Sequence, residues 1–230
     1  MMDLQKRNCG IEMRLVPYGA GWTDVHLNIG SDQLYFIISS GWGGQFSELL
    51  KILYHLHPQV NDQDSYNKLE YWDGICEFID GKYKVTKIVE NCDDCPATIQ
   101  PIPYKGEFTW HEEGAHSHWS IWREPTEDTD FDIHINIQIC RNDTKEYAYT
   151  VRYKDFCYAV AKTCTQVLKS HGIYGYHYSV YFDDLNLRHL LFIKAVALDA
   201  FEARQLTDNE DGSGVSSPFE KELQLLLFDM

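Results

Sequence analysis

Histidines and carboxylates crowd one short stretch of this 230-residue chain, His111-Glu112-Glu113-Gly114-Ala115-His116. These are the ingredients of a zinc hydrolase. A zinc-protease helix needs histidines at i and i+4, so that both imidazoles meet one ion from the same face. Here Ala115 holds the i+4 place, His116 arrives one residue late, and the segment has the pattern of a hairpin. The protease reading fails on spacing and on secondary structure. His116 and His118, two apart on an expected strand, do share a face, and Cys92-Asp93-Asp94-Cys95 adds two thiols elsewhere. A structural zinc site normally shows a second paired motif at recognisable spacing, and a thioredoxin-type dithiol sits in a βαβ pattern; the chain has neither. Surface histidines and ordinary free thiols describe the set more simply. A metal-binding or hydrolytic use of His111, His116, His118, Cys92 and Cys95 is kept as the alternative.

Other chemical motifs fail more directly. Asp128, Asp130 and Asp132 mimic the start of a calcium loop, which requires glycine at position six and glutamate at twelve. Those places hold Ile133 and Ile139. No G-x-S-x-G, phosphate-binding loop or G-x-G-x-x-G occurs, so no nucleotide or other cofactor is expected. No pair of carboxylates can be nominated as general acid and base, and no catalytic residue is assigned.

Charge narrows the classes further. With 35 acidic and 20 basic side chains the net charge is −15. Scattered Lys and Arg give a phosphate backbone nothing to follow, which argues against nucleic acid as a partner. No apolar run reaches the roughly 20 residues that span a bilayer, so no membrane association is expected. The opening MMDLQKRNCG lacks the apolar core of a secretory leader. Seven cysteines in that setting are expected as reduced thiols in the cytoplasm. Cys157 and Cys164, seven apart in a helical pattern, should both face the core.

The elements that position these groups follow from periodicity. Strands are expected at 11–16, 22–29 and 34–39, the second alternating Val25, Leu27 and Ile29 against Asp24, His26 and Asn28. A helix over 46–57 gathers Phe46, Leu49, Leu50, Leu53 and Leu56 on one face and stops near Pro58. Asp80-Gly81 marks a hairpin. Phe108 and Trp110 alternate, Glu113-Gly114 turns the chain, and strands return at 116–123, 131–139 and 145–152. The 131–139 strand alternates without fault, leaving Asp132, His134, Asn136 and Gln138 to face solvent or a partner. A helix capped by Asp155 should run to about 170 and end at Gly172. A strand-like 174–182 and a helix over about 185–204, capped by Asp183-Asp184, complete the body. Runs of strands followed by helices fit an α+β class: an antiparallel meander of about seven strands packed by two main helices. Residues 1–206 form one domain with 58–106 as an insertion, and 207–230 an acidic linker and short amphipathic tail opened by Pro218.

One surface combines charge with aromatic area. Glu112, Glu113, Glu124, Glu127, Asp128 and Asp130 lie at the ends of the predicted meander, and Trp110, Trp119 and Trp122 come from the same strands. Carboxylates on a rim steer a basic partner, and tryptophan supplies a large anchor. Buried tryptophans and a solvated acidic edge are the plainer description. The residues nominated for partner binding are Glu112, Glu113, Trp122, Glu124, Glu127, Asp128 and Asp130.

The order of segments adds a resemblance. "GWTDVHLNIG" leads to "FSELLKILYHL"; the strand pair "FTWHEEGAHSHWSIWREP" follows, then "DFCYAVAKTCTQVLKSHGIYGY" and "LRHLLFIKAVAL". The pattern resembles small bacterial α+β proteins grouped with the immunity proteins of polymorphic toxin systems. It covers most of residues 11–200, with 58–106 and the tail after 206 as additions. The resemblance implies a non-catalytic inhibitor that binds a basic toxin domain. A structural protein oligomerising through residues 218–230 is the third expectation.

Overall fold

Alternation of apolar and polar residues builds two main antiparallel sheets, each with one dry face. The computed structural model describes residues 10–19, 22–39, 45–58, 60, 69–71, 74–79, 82–88, 105–112, 114–179, 185–200, 207–208 and 215–230. The first sheet has the order β1 (Ile11–Gly19), β2 (Trp22–Ile29), β3 (Asp32–Ser39). Val25, Leu27 and Ile29 point inward against Leu34, Phe36 and Ile38. Gly30 takes a positive φ of 59° in the two-residue turn that joins β2 to β3, a conformation glycine enters without strain.

Helix α1 (Gln45–Leu56) buries all five residues of its expected stripe, and a second small sheet follows as β4 (Leu69–Tyr71), β5 (Gly74–Ile79) and β6 (Lys82–Ile88). β5 pairs antiparallel with β6, Ile79 opposite Lys82, as the expected hairpin requires; Asp80 and Gly81 themselves lie outside the described residues. The largest sheet has the order β10 (Thr144–Arg152), β9 (Asp132–Cys140), β8 (Ala115–Trp122), β7 (Lys105–Glu112). Its inner face carries Phe108, Trp110, Trp119, Ile121 and the β9 isoleucines 133, 135, 137 and 139.

β3 lies beside β7, and α1 covers β7. Phe36 meets Trp110 at 5.3 Å and Trp119 at 5.5 Å between ring centroids, while the two indoles stand 4.6 Å apart. Both tryptophans are fully buried, so of the three indoles in this meander only Trp122 is available to solvent. Gly106 lets α1 approach β7 closely. A Cβ built there would meet carbons of the Ile52 side chain at 2.5, 2.7 and 2.9 Å.

Helix α2 (Tyr153–Ser179) packs along β1. The Thr163 hydroxyl accepts from the Leu15 amide at 3.1 Å, satisfying an edge donor of that strand. Cys157 and Cys164 are buried as expected, and burial pushes the Cys157 thiol up. Gly172 breaks the helix with φ +69° and ψ 172°, but helical structure resumes beyond it. Residues 174–179 are therefore helical, not a strand. Their alternating aromatics imitate a period of two, and intrinsic β preference is the weaker influence here.

Helix α3 (Leu187–Ala197) is shorter than the sequence suggested. Its cap is Asn186, whose side chain accepts from the His189 amide at 3.1 Å; Asp183 and Asp184 lie outside the described residues. It stops because Asp199 enters the left-handed region (φ 54°), with Ala200 N–H donating to Ala195 O and Asp199 N–H to Val196 O. This is a Schellman ending. A strand pair, β11 (Thr207–Asp208) and β12 (Val215–Ser216), precedes α4 (Phe219–Leu227).

A buried lysine fastens α4 to the body. Lys194 Nζ donates to Thr165 Oγ1 (3.1 Å) and to the carbonyls of Leu226 (3.2 Å) and Phe228 (2.7 Å). Carbonyls at a helix C-terminus have no partner within the helix, so an ammonium there satisfies them and suits the dipole. Burial lowers the Lys194 pKa to about 8; Lys169 pushes the same way and Asp229 opposes. The outer side of α4 exposes Phe219, Leu223 and Leu227.

Three histidines meet where α1 packs on α3. Tyr54 stacks on His189 at 4.6 Å, His55 stands 5.9 Å from His189, and His57 is buried between Tyr153 and Phe192. The Arg188 guanidinium donates to Tyr54 Oη at 2.6 Å. Burial, then His189 and Lys51, hold the His55 pKa near 3 against an ordinary 6.5. In the unfolded chain His55 takes up its proton as pH falls below 6.5, whereas the folded chain resists until about 3. Stability should therefore fall between pH 6.5 and 3, by up to about 1.4 kcal/mol per pH unit from this group. Urea midpoints at pH 7 and pH 5 should show the loss, and His55→Gln should flatten it. Gly106→Ala should destabilise by about 1–3 kcal/mol, because Ile52 is branched at Cβ and has little freedom to yield. Thermal melts of Gly106→Ala, Ile52→Ala and the double variant test this: the double variant should lose less than the sum of the two single changes, because truncating Ile52 removes the clash while costing its own burial.

Candidate binding face

The outer face of the β7–β10 sheet is polar along its whole length, and the register fixes which groups are neighbours. Across it run His111–His116–Cys140–Thr144, then Thr109–His118–Gln138–Glu146, then Glu107–Ser120–Asn136–Ala148, then Lys105–Trp122–His134–Thr150. The β9 residues expected to face solvent or a partner, Asp132, His134, Asn136 and Gln138, all lie on this side. Cross-strand hydrogen bonds order the groups: Ser120 Oγ donates to Glu107 at 2.9 Å, Gln138 Nε2 to Glu146 at 2.9 Å, and His134 Nδ1 lies 3.1 Å from Thr150 Oγ1. The hydrogen bond from Lys105 holds the Glu107 carboxyl below its ordinary range, with Ser120 adding to it against a smaller cost of burial.

The nominated residues separate into two groups. Trp122, half-buried, stacks on His134 at 5.3 Å and 27°. The loop that leaves it, residues 123–131, carries Glu124, Glu127, Asp128 and Asp130, all exposed. Its shape is set from beneath. Arg123 Nε donates to Leu56 O (2.6 Å) at the end of α1, Arg123 Nη1 donates to the carbonyls of Glu124 (3.0 Å) and Thr126 (3.5 Å), and the guanidinium sits 5.6 Å over the Phe131 ring. Asp128 Oδ1 accepts from the Asp130 amide at 3.0 Å. Arg152 reaches Asp130 (3.7 Å) and Asp132 (3.4 Å). Glu124, Glu127 and Asp128 have no ion pair among the described residues.

Glu112 belongs to the other end of the sheet, about 24 Å away at ~3.4 Å per residue. Its side chain is only 8% exposed and pairs with Arg141 at 3.1 Å, and Arg141 also donates to Tyr35 O at 2.9 Å. It joins β3 to the β9–β10 loop. Glu113 lies outside the described residues.

The histidine set is arranged by the same register. His116 and His118 do share the outer face, and His111 stands directly opposite His116. His118 Nδ1 lies 3.1 Å from Thr109 Oγ1. Cys92 and Cys95 lie outside the described residues. In the rotamers shown, no three His, Cys, Asp or Glu side chains among the described residues are grouped to hold a metal ion. The sequence reading did not single out Cys140 for this set or pair Trp122 with His134. Both follow only from knowing which β8 residue faces which β9 residue.

No helix of the described residues is long and apolar enough to cross a membrane. No known protein family, curated protein or solved structure matches the chain.

Arg123 is the pin of the acidic loop. Arg123→Ala should destabilise by about 1–3 kcal/mol, since charge-assisted hydrogen bonds to three carbonyls are lost. Amide exchange over 124–130 should quicken more than exchange in β9, which mass spectrometry on peptides will read.

Proposed function

We propose that the Trp122 end of this sheet, with the Glu124–Asp130 loop, docks a basic protein, and that the chain acts as a non-catalytic, immunity-type inhibitor of a toxin domain. The observation that carries the reading is the juxtaposition of a half-buried, ring-stacked Trp122 with Glu124, Glu127 and Asp128, which no cation among the described residues pairs. A rigid indole beside open carboxylates is the combination that anchors and steers a cationic partner. The net charge of −15 favours the same encounter. The resemblance to immunity proteins agrees with it and supplies the class of partner. Glu112 is not part of the contact, because Arg141 already neutralises it.

Anchor and rim should fail differently. Trp122→Ala should weaken binding by about 2 kcal/mol or more, mainly through faster dissociation. Glu124→Lys with Glu127→Lys should slow association and flatten its dependence on salt. For the native chain, association should slow as ionic strength rises from 0.01 to 0.15 M, where the screening length falls from about 30 to about 8 Å. Pull-down with the products of adjacent genes, followed by surface plasmon resonance on the captured partner, tests all three. An acidic partner, or rates indifferent to salt and to these substitutions, would sink the reading.

A further inference from the structure

Both ends of the acidic loop are rooted on the C-terminal turn of α1, where His55 and His57 flank Leu56. At the entering end, Arg123 Nε donates to Leu56 O at 2.6 Å, between the two histidines. At the leaving end, Phe131 stacks on Tyr153 at 4.5 Å and 16°, and its carbonyl accepts from the Tyr153 amide at 2.9 Å. Tyr153 in turn donates its hydroxyl to Leu53 O, and its ring stands 5.9 Å from His57. Helix α3 clamps the same turn from the other side. Its His189 stacks on Tyr54 at 4.6 Å and stands 5.9 Å from His55, and its Phe192 covers both Tyr54 (4.6 Å) and His57 (5.3 Å). We propose that the His55, His57 and His189 cluster is an acid-operated release for the Glu124–Asp130 loop: proton uptake drives α3 off the turn, and the loop loses both of its roots. The inference rests on the docking role assigned to that loop.

Imidazole is the side chain that gains charge between pH 8 and 5. His57 is 1% exposed, so a charge there would be stripped of water between Tyr153 and Phe192. The groups around His55 oppose a proton as well. His189 faces it from α3, Lys51 lies one turn back on α1, and Arg188 is held on the neighbouring Tyr54 hydroxyl. Glu48 of the same helix is engaged by Lys51 at 3.8 Å. From α2 the cluster meets the neutral phenol of Tyr153, and from the loop it meets Arg123. The closed cluster therefore holds protons poorly, and the open one holds them as free imidazole does, so acid favours opening. His55 resists its proton down to about 3 when closed, against 6.5 when free. Between pH 7 and pH 5 that difference multiplies the opening equilibrium by roughly 25 from this ring alone. The inner faces of the two main sheets bury no histidine among the described residues, so acid strikes this contact before the sheets.

Hydrogen exchange of the full chain, read by mass spectrometry at pH 7 and pH 5 and expressed as protection relative to unstructured chain at the same pH, provides the test. Protection over 53–57, 124–131 and 187–197 should fall together by roughly 25-fold, while β9 keeps its own. His55→Gln should remove most of this acid response. Should that variant melt early at pH 7, Lys51→Ala, which lifts one of the charges opposing the proton, should shrink the response instead. Arg123→Ala should keep the response of 187–197 and lose most of that of 124–131. Protection lost equally in β9, or an acid response unchanged by both His55→Gln and Lys51→Ala, would overturn the release. No partner enters these measurements, so they stand apart from the docking role. A captured partner that dissociates equally fast at pH 7 and pH 5 from a loop shown to open would count against docking alone.

Discussion

Four isoleucines on one strand determine which of its groups face water. Ile133, Ile135, Ile137 and Ile139 of β9 point into the core, and each is buried. Burying such a side chain contributes about 1.5–3 kcal/mol. A register slip of one residue would turn all four into water, a loss of roughly 6–12 kcal/mol that rivals the whole stability of an ordinary domain. Burial on the dry side therefore excludes every odd slip and decides which β9 residues face water. In the alignment adopted, His134 lies beside Trp122 and Cys140 beside His116.

Net charge is a poor map of where charge acts. Glu112 and Glu124 are the same residue type at opposite ends of one sheet, yet Glu112 is consumed by Arg141 while Glu124 stands in water. Asp130 and Asp132 share Arg152. In this sheet and the loop that follows β8, Glu124, Glu127 and Asp128 are left without an ion pair among the described residues, next in the chain to an indole. Hydrogen bonds across the sheet also hold Glu107, Glu146 and His134 in place before any partner arrives. Side chains ordered in advance lose less freedom on docking.

The sequence was most legible where one period dominated. The β2, β3 and β9 alternations, the α1 stripe and the β5–β6 pairing all appear as expected, because burial of one face rewards a single pattern. It was least legible where aromatics supply two periods at once. YGYHYS after Gly172 alternates like a strand and is helical, and nothing local to it decides between the two. The end of α3 was misplaced for a related reason: Asp199 in a left-handed conformation stops the helix, and only glycine or asparagine advertises that ending in a sequence. For the outer face, the polar residues of β9 were visible from alternation alone. Their neighbours were not, since register is a property of two strands and the periodicity of each is silent about the other.

Lys145 gives the sheet a protected margin. Its Cα lies opposite Ile139, so it occupies an inward-pointing position, and β10 is the last strand of its sheet among the described residues. A second chain that tried to extend the sheet past Thr144 would have to strip water from that ammonium or bend away from it. Tyr147, Tyr149 and Val151 on the same side are half-buried and packed against the core. A single long-stemmed cation thus stands as a chain-growth terminator, and an aliphatic residue in its place would leave the margin open to runaway strand addition when the protein is concentrated.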